Sequence, residues 1–353
     1  MMIQSKTCRH IHELGEFGLI NLISGKVRST PTVPVGIGDD AAAFEWQKGC
    51  IGLTTSDMLV EGVHFDLSFS DPFRLGRKSL AVNLSDIAAM GGIPRWFLLS
   101  IAIPAKLSVG FIELFTTGML GLADEYGTVL VGGDTCASNE GLVISITLYG
   151  EQQGDRIVQR QGARPGDAIF VTGTLGDSAL GLELLRKGKM EGICINRHLD
   201  PSPRVREGRA LAEAGLATAM IDISDGLLSD LGHIAEKFGS GAIVRHDRIP
   251  LSQEFSDYVK STSGRDYSLA LGGGEDYELL FTAPALNRDA IRSLFAELGT
   301  PVTEIGEITS IPGIQVLSSE GKPVPTANAG FDHFRSPGRP FGIKGSLPVH
   351  SEG

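Results

Sequence analysis

Short apolar, β-branched runs recur along the chain and end in Gly or an acid, as strands do: residues 51–57 (IGLTTSD), 128–134 (TVLVGGD), 142–151 (LVISITLYGE) and 167–173 (DAIFVTG). Two longer stretches carry apolar residues at helical spacing. Residues 71–90 (DPFRLGRKSLAVNLSDIAAM) open with an Asp cap and a Pro at the first helical position, and 107–127 (LSVGFIELFTTGMLGLADEYG) close on Gly127. A polar, Gly-rich stretch at 150–167, with a Pro165-Gly166 turn, interrupts the alternation. Beyond it the pattern predicts a strand at 168–172, helices at 177–187 and 203–214, a strand at 218–223 and a helix at 225–238. A strand at 277–283, a helix at 287–298 and two further strands follow. Mixed this way, the elements define an α/β to α+β protein without short-period repeats. The expected division is 1–150, 151–334 and a Pro/Gly/Ser-rich flexible tail at 335–353.

Composition narrows the function. With 353 residues the chain has material for two domains of ordinary size. A net charge of −11 argues against a nucleic-acid or anionic-membrane surface, although divalent cations can still bridge carboxylates to phosphates. The first twenty residues lack the pattern of a secretory signal, and no run approaches the ~20 apolar residues of a membrane span. Cys8, Cys50, Cys136 and Cys194 form no CxxC pair and read as reduced thiols of a cytoplasmic protein.

The acids carry the chemistry. Asp86 lies within the apolar run AVNLSDIAAMGG, and a carboxylate buried there needs a cation, a helix N-terminus or a metal beside it. Asp39, Asp40, Asp57, Asp134, Asp222, Asp225, Glu275 and Asp276 occur in similar settings, several at strand ends next to Gly. Carboxylates gathered together repel unless they share protons or cations. Cys and His are nearly absent from these segments, so the expected metal is Mg²⁺, with Thr55 and Ser56 adding oxygens beside Asp57. Neither a Walker loop, a G-x-G-x-x-G fingerprint nor a protein-kinase signature is present.

Seven motifs occur in order over residues 36–334: GIGDDAA, TSDMLVEGVHF, AVNLSDIAAMG, VGGDT, IDISDGLLSDLGH, GGGEDYEL and GFDHF. Together they resemble the thiamine-monophosphate kinases, within the superfamily of aminoimidazole ribonucleotide synthetase and selenophosphate synthetase. The resemblance implies a two-domain aminoimidazole ribonucleotide synthetase-like fold whose N-terminal domains pair strands in a homodimer. It also implies ATP-dependent phosphorylation of thiamine monophosphate with several Mg²⁺ ions, in a cleft between the domains. Carried over by motif, Asp40, Thr55, Ser56, Asp57, Asp86, Asp134, Asp222 and Asp225 are the expected Mg²⁺ ligands. Gly133, Arg160 and Ser224 are expected to contact ATP, and His64, Glu275 and Phe331 the thiamine phosphate. No side chain is expected to act as nucleophile or general base.

The residues taken singly leave other readings open. His64 equally reads as a partly buried histidine, Glu275 as a cap for the Gly272–Gly274 turn, Phe331 as core and Arg160 as a linker charge. Asp39 is expected behind the ligands, because neighbours on an extended segment point opposite ways, while Asp230 and His233 read as exposed helix positions. Selenophosphate synthetase, hydrogenase maturation factor and aminoimidazole ribonucleotide synthetase are the runners-up within the superfamily. Outside it stand a non-catalytic Mg-nucleotide-binding regulator and a metal-dependent phosphohydrolase.

Overall fold

A computed structural model describes residues 11–37, 41–236, 239–261 and 267–326. The first half runs α1 (Ile11–Ser24), β1 (Cys50–Val60), α2 (Pro72–Ala89), β2 (Ile93–Pro104), α3 (Val109–Tyr126), β3 (Val129–Ser138) and β4 (Val143–Gln153). The second continues β5 (Asp167–Thr172), α4 (Asp177–Arg186), α5 (Ile193–Leu199), α6 (Val205–Ala214), β6 (Ala219–Asp222), α7 (Leu227–Glu236) and β7 (Gly241–Arg245). It ends with α8 (Gln253–Ser261), α9 (Ser268–Gly272), β8 (Leu279–Pro284), α10 (Arg288–Leu298), β9 (Val302–Thr309) and β10 (Gly313–Leu317). The helices expected around 71–90, 107–127, 177–187, 203–214 and 287–298 form within a few residues of those bounds.

The halves are two sheets. The first has strand order β1-β4-β2-β3, with β2 and β3 parallel and the other pairs antiparallel. The second has order β10-β7-β9-β5-β8-β6, antiparallel except for β10 against β7. Strand β5 is buried along its whole length, which is why DAIFVT is a continuous apolar run without alternation. Its Ala168 and Phe170 face the core shared with the first half, whereas Ile169 and Val171 face a second core under α7 and α8.

Helix α2 links the halves. Asp71 caps it by accepting from the Arg74 N–H, and Pro72 occupies the first turn. Along its length it crosses α3 on one side and meets α6 and β6 on the other. These crossings are close because glycines remove side chains at the contact points. A Cβ on Gly118 of α3 would lie 1.9 Å from the Phe73 carbonyl oxygen, and one on Gly208 of α6 would lie 2.0 Å from that of Ala88. The helix is thereby fixed in position between the two sheets, and its polar residues are aimed by packing.

Gly118→Ala is expected to lower stability by roughly 1–3 kcal/mol, because backbone must shift to admit the methyl group. Gly121, on the same helix with open space at its Cβ position, is the control. Gly121→Ala is expected to raise stability by up to about 1 kcal/mol through helix propensity. Urea denaturation of both variants checks the contrast, and equal effects contradict the close-crossing account.

Candidate active site

Strand β1 places Leu53, Thr55, Asp57 and Leu59 on one face by its two-residue period, and Leu53 and Leu59 are buried there. Thr55 and Asp57 therefore share the face that packs against α2. From that helix, Asp86 accepts a hydrogen bond from the Thr55 hydroxyl, and Asn83 Oδ1 accepts from the Asp57 N–H at 3.2 Å. Ser85 Oγ donates to Asp222 Oδ2 at 2.7 Å, which fixes the carboxylate at the end of β6. Asp57, Asp86 and Asp222 come from three elements and two sheets, and converge beside one helix.

Their electrostatics follow from that crowding. Burial pushes the Asp57 carboxyl up to about 7, aided by repulsion from Asp86 and Asp222. Asp222 is likewise raised to about 7 by burial and then by Asp86. Asp86 is raised by burial, although the Thr55 hydrogen bond and the Arg160 charge oppose the shift. Arg160, exposed on the linker before β5, also lowers Asp222. One guanidinium against three carboxylates leaves the site short of positive charge. The donors gathered here are carboxylate and hydroxyl oxygens, the set a hard divalent cation takes.

Thr55, Asp86, Gln159, Arg160 and Gln161 line a cavity of about 440 Å³ together with the apolar Ile87, Met90, Val158 and Met220. Beyond the cluster, the loop 223–226 docks on the loop 273–277. The Glu275 N–H donates to the Ser224 carbonyl at 2.8 Å and the Tyr277 N–H to that of Ile223 at 2.9 Å. Gly226 and Gly274 permit this approach, since a Cβ on Gly274 would lie 2.3 Å from the Ser224 oxygen. Glu275 and Tyr277 both adopt positive φ, at 66° and 51°, which is costly for side-chain-bearing residues. Glu275 Oε2 lies 3.1 Å from Lys78 Nζ and 3.3 Å from His198 Nδ1. His64 Nδ1 accepts from the Val60 N–H at 3.0 Å, which places its ring proton on Nε2. Its ring is near enough to Glu275 to favour the ionised carboxylate.

Several expected residues stand elsewhere. The Ser56 side chain points away from Asp57, to the opposite face, where its hydroxyl is 3.0 Å from that of Thr147. Pairing aligns Asp57 with Ile146, Leu99 and Gly133 in one row, and Met58 with Ser145, Ser100 and Asp134 in the next. Asp134 is thus three strands from β1, roughly 14 Å, and on the other face of the sheet from Asp57. Asp225 lies beside Asp230 and His233, with ligand atoms within 4.8 Å of one another. Asp40, Asp39 and Phe331 lie outside the described residues, as does the tail at 335–353.

Two single-residue readings need correction. Asp230 is buried, not exposed, and its Oδ2 accepts from the N–H groups of Ser224, Asp225 and Gly226, each at 3.1 Å. The acid that caps a helix near the glycine turn is Asp276, which accepts from Gly176 and Ser178 N–H, while Glu275 turns to Lys78. Lys78, Asn83, Ser85, His198 and Tyr277 were not anticipated. Burial pushes the Tyr277 phenol well up, with further contributions from Glu275, Asp57, Asp222 and Asp86, so its ring stands among the acids. For Lys78 a signal was present: a lysine between Leu75 and Val82 on the apolar side of a predicted helix.

Comparison with known proteins identifies the family. Residues 38–152 match the AIR synthase related protein N-terminal domain, and 164–317 match the C-terminal domain. The class is therefore the AIR synthase-related proteins. The chain is 42% identical over 332 residues to the thiamine-monophosphate kinase of Salmonella typhimurium, covering 92% of this chain and 99% of that one. Among solved structures, the thiamine-monophosphate kinase from Stenotrophomonas maltophilia superposes with a TM-score of 0.77 at 38% identity, covering 86% of this chain and 95% of that one. AaThiL complexed with AMPPCP and TMP gives 0.71 at 39% identity, covering 94% and 100%. The chain belongs to the thiamine-monophosphate kinase family.

The raised Asp57 carboxyl predicts a pH signature. An acid whose folded value exceeds its unfolded value of 3.8 contributes stability that is present below that pH and lost as pH rises through about 7. Asp57→Asn is expected to raise the Tm of ligand-free protein in chelator at about pH 8 by several degrees, the gap narrowing toward about pH 4. A variant less stable than wild type at the higher pH contradicts the repulsion account.

Proposed function

We propose that this chain transfers the γ-phosphoryl group of ATP to the phosphate of thiamine monophosphate, forming thiamine diphosphate with Mg²⁺ at the acid cluster. The observation that carries the reading is the convergence of Asp57, Asp86 and Asp222, with Arg160 at the cavity wall and Glu275 held by Lys78 of α2. The relatives' names and the AMPPCP and TMP complex supply the two substrates by similarity. An acceptor oxygen attacks the γ-phosphorus, the bond to the β,γ-bridging oxygen breaks, and its electron pair leaves with ADP. The acceptor phosphate has a second pKa near ~6 and arrives largely ionised, so the chain needs no general base. The oxygen-only donor set, without Cys or His at its centre, suits direct in-line transfer.

The obstacle is electrostatic, since two polyanions must meet. A divalent cation here would be held by Asp57, Asp86 and Asp222, with Asp40, Thr55 and Asp225 as further ligands, and would supply charge neutralisation for the phosphate oxygens; the Ser56 hydroxyl, on the opposite face of β1, is not among them. Arg160 adds its guanidinium at the nucleotide, whose base fits the apolar wall of the cavity, and Ser224 contributes from the loop after β6. His64, Glu275 and Phe331 hold the thiamine phosphate, Glu275 offering a carboxylate to its cationic or amino groups.

We also propose a homodimer in which the β3 edge of one copy meets the β1 edge of another. That arrangement sets Gly133 and Asp134 beside a neighbouring copy's β1, from which two strands separate them in their own sheet. In this reading residues 1–150 bind ATP and metal and pair, 151–334 complete the cleft, and 335–353 form a tail. Among the described residues no helix is long and apolar enough to cross a membrane, and Cys50, Cys136 and Cys194 are free thiols. We place the protein in the cytoplasm, without a nucleic-acid or membrane partner.

Incubation with ATP and thiamine monophosphate is expected to give thiamine diphosphate by chromatography, with none in chelator. Asp86→Asn is expected to lower kcat on the order of 100-fold while the protein stays folded. ATP binding without diphosphate overturns the kinase reading in favour of a nucleotide-binding regulator, and phosphate release without diphosphate favours a phosphohydrolase. Co-refolded Asp57→Asn and Asp134→Asn chains are expected to regain about a quarter of wild-type activity, since about half the dimers hold one intact site. No recovery contradicts the shared site.

A further inference from the structure

Lys78 is 3% exposed, on the face of α2 turned toward the second half, and no established phosphate or metal role accounts for it. A buried ammonium is retained only where a partner compensates it, and the partner here is Glu275. His198, also 3% exposed, reaches the same oxygen from the end of α5, and its Nδ1 is 3.0 Å from Ser178 Oγ. Burial pushes His198 down to about 3, and the Lys78 charge adds to the effect, so the ring is neutral. Lys78 is therefore the charge partner. Both contacts fall on Oε2 of Glu275, and Oε1 takes neither.

Position along the helix adds a second constraint. Ser85 follows Lys78 by seven residues, two turns and about 10 Å along the same face. Ser85 holds Asp222 at the end of β6, and Lys78 holds Glu275 in the loop before β8. A single rigid helix thus sets the separation between a carboxylate of the acid cluster and the carboxylate placed at the thiamine phosphate.

We propose that Lys78, with His198 behind it, is a positioning residue for Glu275, fixing Oε2 so that Oε1 is presented to the acceptor substrate. The inference rests on Glu275 contacting thiamine monophosphate, as proposed above. The strained backbone of Glu275 agrees with it: a residue at φ 66° is held there by its surroundings, and the side chain is clamped at its far end as well.

The test is a kinetic cycle on the full chain with Lys78→Met, Lys78→Arg, Glu275→Gln and the double variant Lys78→Met/Glu275→Gln, supported by calorimetric titration of thiamine monophosphate. Lys78→Met is expected to raise KM and Kd for thiamine monophosphate about tenfold or more, with KM for ATP within about twofold. Lys78→Arg, which keeps the charge but alters the geometry, is expected to give a smaller rise confined to the same substrate. The double variant is expected to be no worse than Glu275→Gln, because Lys78 acts through that carboxylate. Additive losses, equal rises in both KM values, or an unchanged acceptor KM each overturn the proposal. If Lys78→Met does not fold, Lys78→Arg and the charge-free double variant carry the same readings. Wild type that makes no thiamine diphosphate overturns the kinase reading and this inference with it. Wild type that does, beside an unchanged acceptor KM in the variants, overturns this inference alone.

Discussion

The repulsion among Asp57, Asp86 and Asp222 is the constraint around which the described structure is arranged. Each is buried enough that burial is the largest cause of its raised pKa, and the Asp86 charge raises both Asp57 and Asp222 further. Left to themselves such groups separate or stay protonated. Here they cannot separate, because each belongs to a different packed element. Asp57 is on a strand inside a sheet, Asp86 on a helix clamped by glycine crossings, and Asp222 at the end of a strand tied by Ser85. The folded chain holds negative charge together at a net cost and is ready to gain from whatever positive charge arrives.

Helix α2 does most of this holding, and its sequence shows how. Leu75, Leu80, Leu84 and Ile87 anchor it in the core, while Lys78 holds the loop before β8, Asn83 and Asp86 hold β1, and Ser85 holds the end of β6. Such a helix cannot be amphipathic in the usual way, because it is buried on most sides and its polar residues face protein. The same logic explains Gly208 and Gly118, where side chains are absent so that α6 and α3 can approach on either side.

Much of the fold was legible because its elements carry punctuation. Asp71-Pro72 and Gly127 mark helix ends, and apolar runs ending in Gly or an acid mark β1, β3, β4 and β5. Strand β2 lacks that signal: IPRWFLLSIAIP is apolar nearly throughout and mostly buried, and a continuous apolar run does not separate a strand from a buried helix. The short helices α5 and α9 were hidden for another reason, being seven and five residues long and fixed by tertiary contacts rather than propensity. At the site, acids after strands were readable as candidates, but which of them meet was not. Sheet order decides that, and order is a long-range property. Asp57 and Asp134 look equivalent in sequence, yet strands β4 and β2 stand between them.

That separation carries a structural argument of its own. In the order β1-β4-β2-β3 the strand with Asp57 and the strand with Asp134 are the two edges, and edges expose unpaired backbone that proteins cover or pair. Several apolar residues near β1 are exposed, among them Ile51, Met58 and Val63. On the same face as Met58 lie Ser145, Ser100 and Asp134, a row with polar groups instead of a second helical layer. Phe44 stacks on Trp96 and covers one end of this face, so the exposed part is the end that carries Met58, and a second sheet would complete it. Pairing opposite edges of two copies brings unlike strands together, so residues at the two ends of one sheet become neighbours across the contact. In the proposed dimer, the strand order that keeps Gly133 and Asp134 from their own cluster is the order that sets them beside another copy's β1.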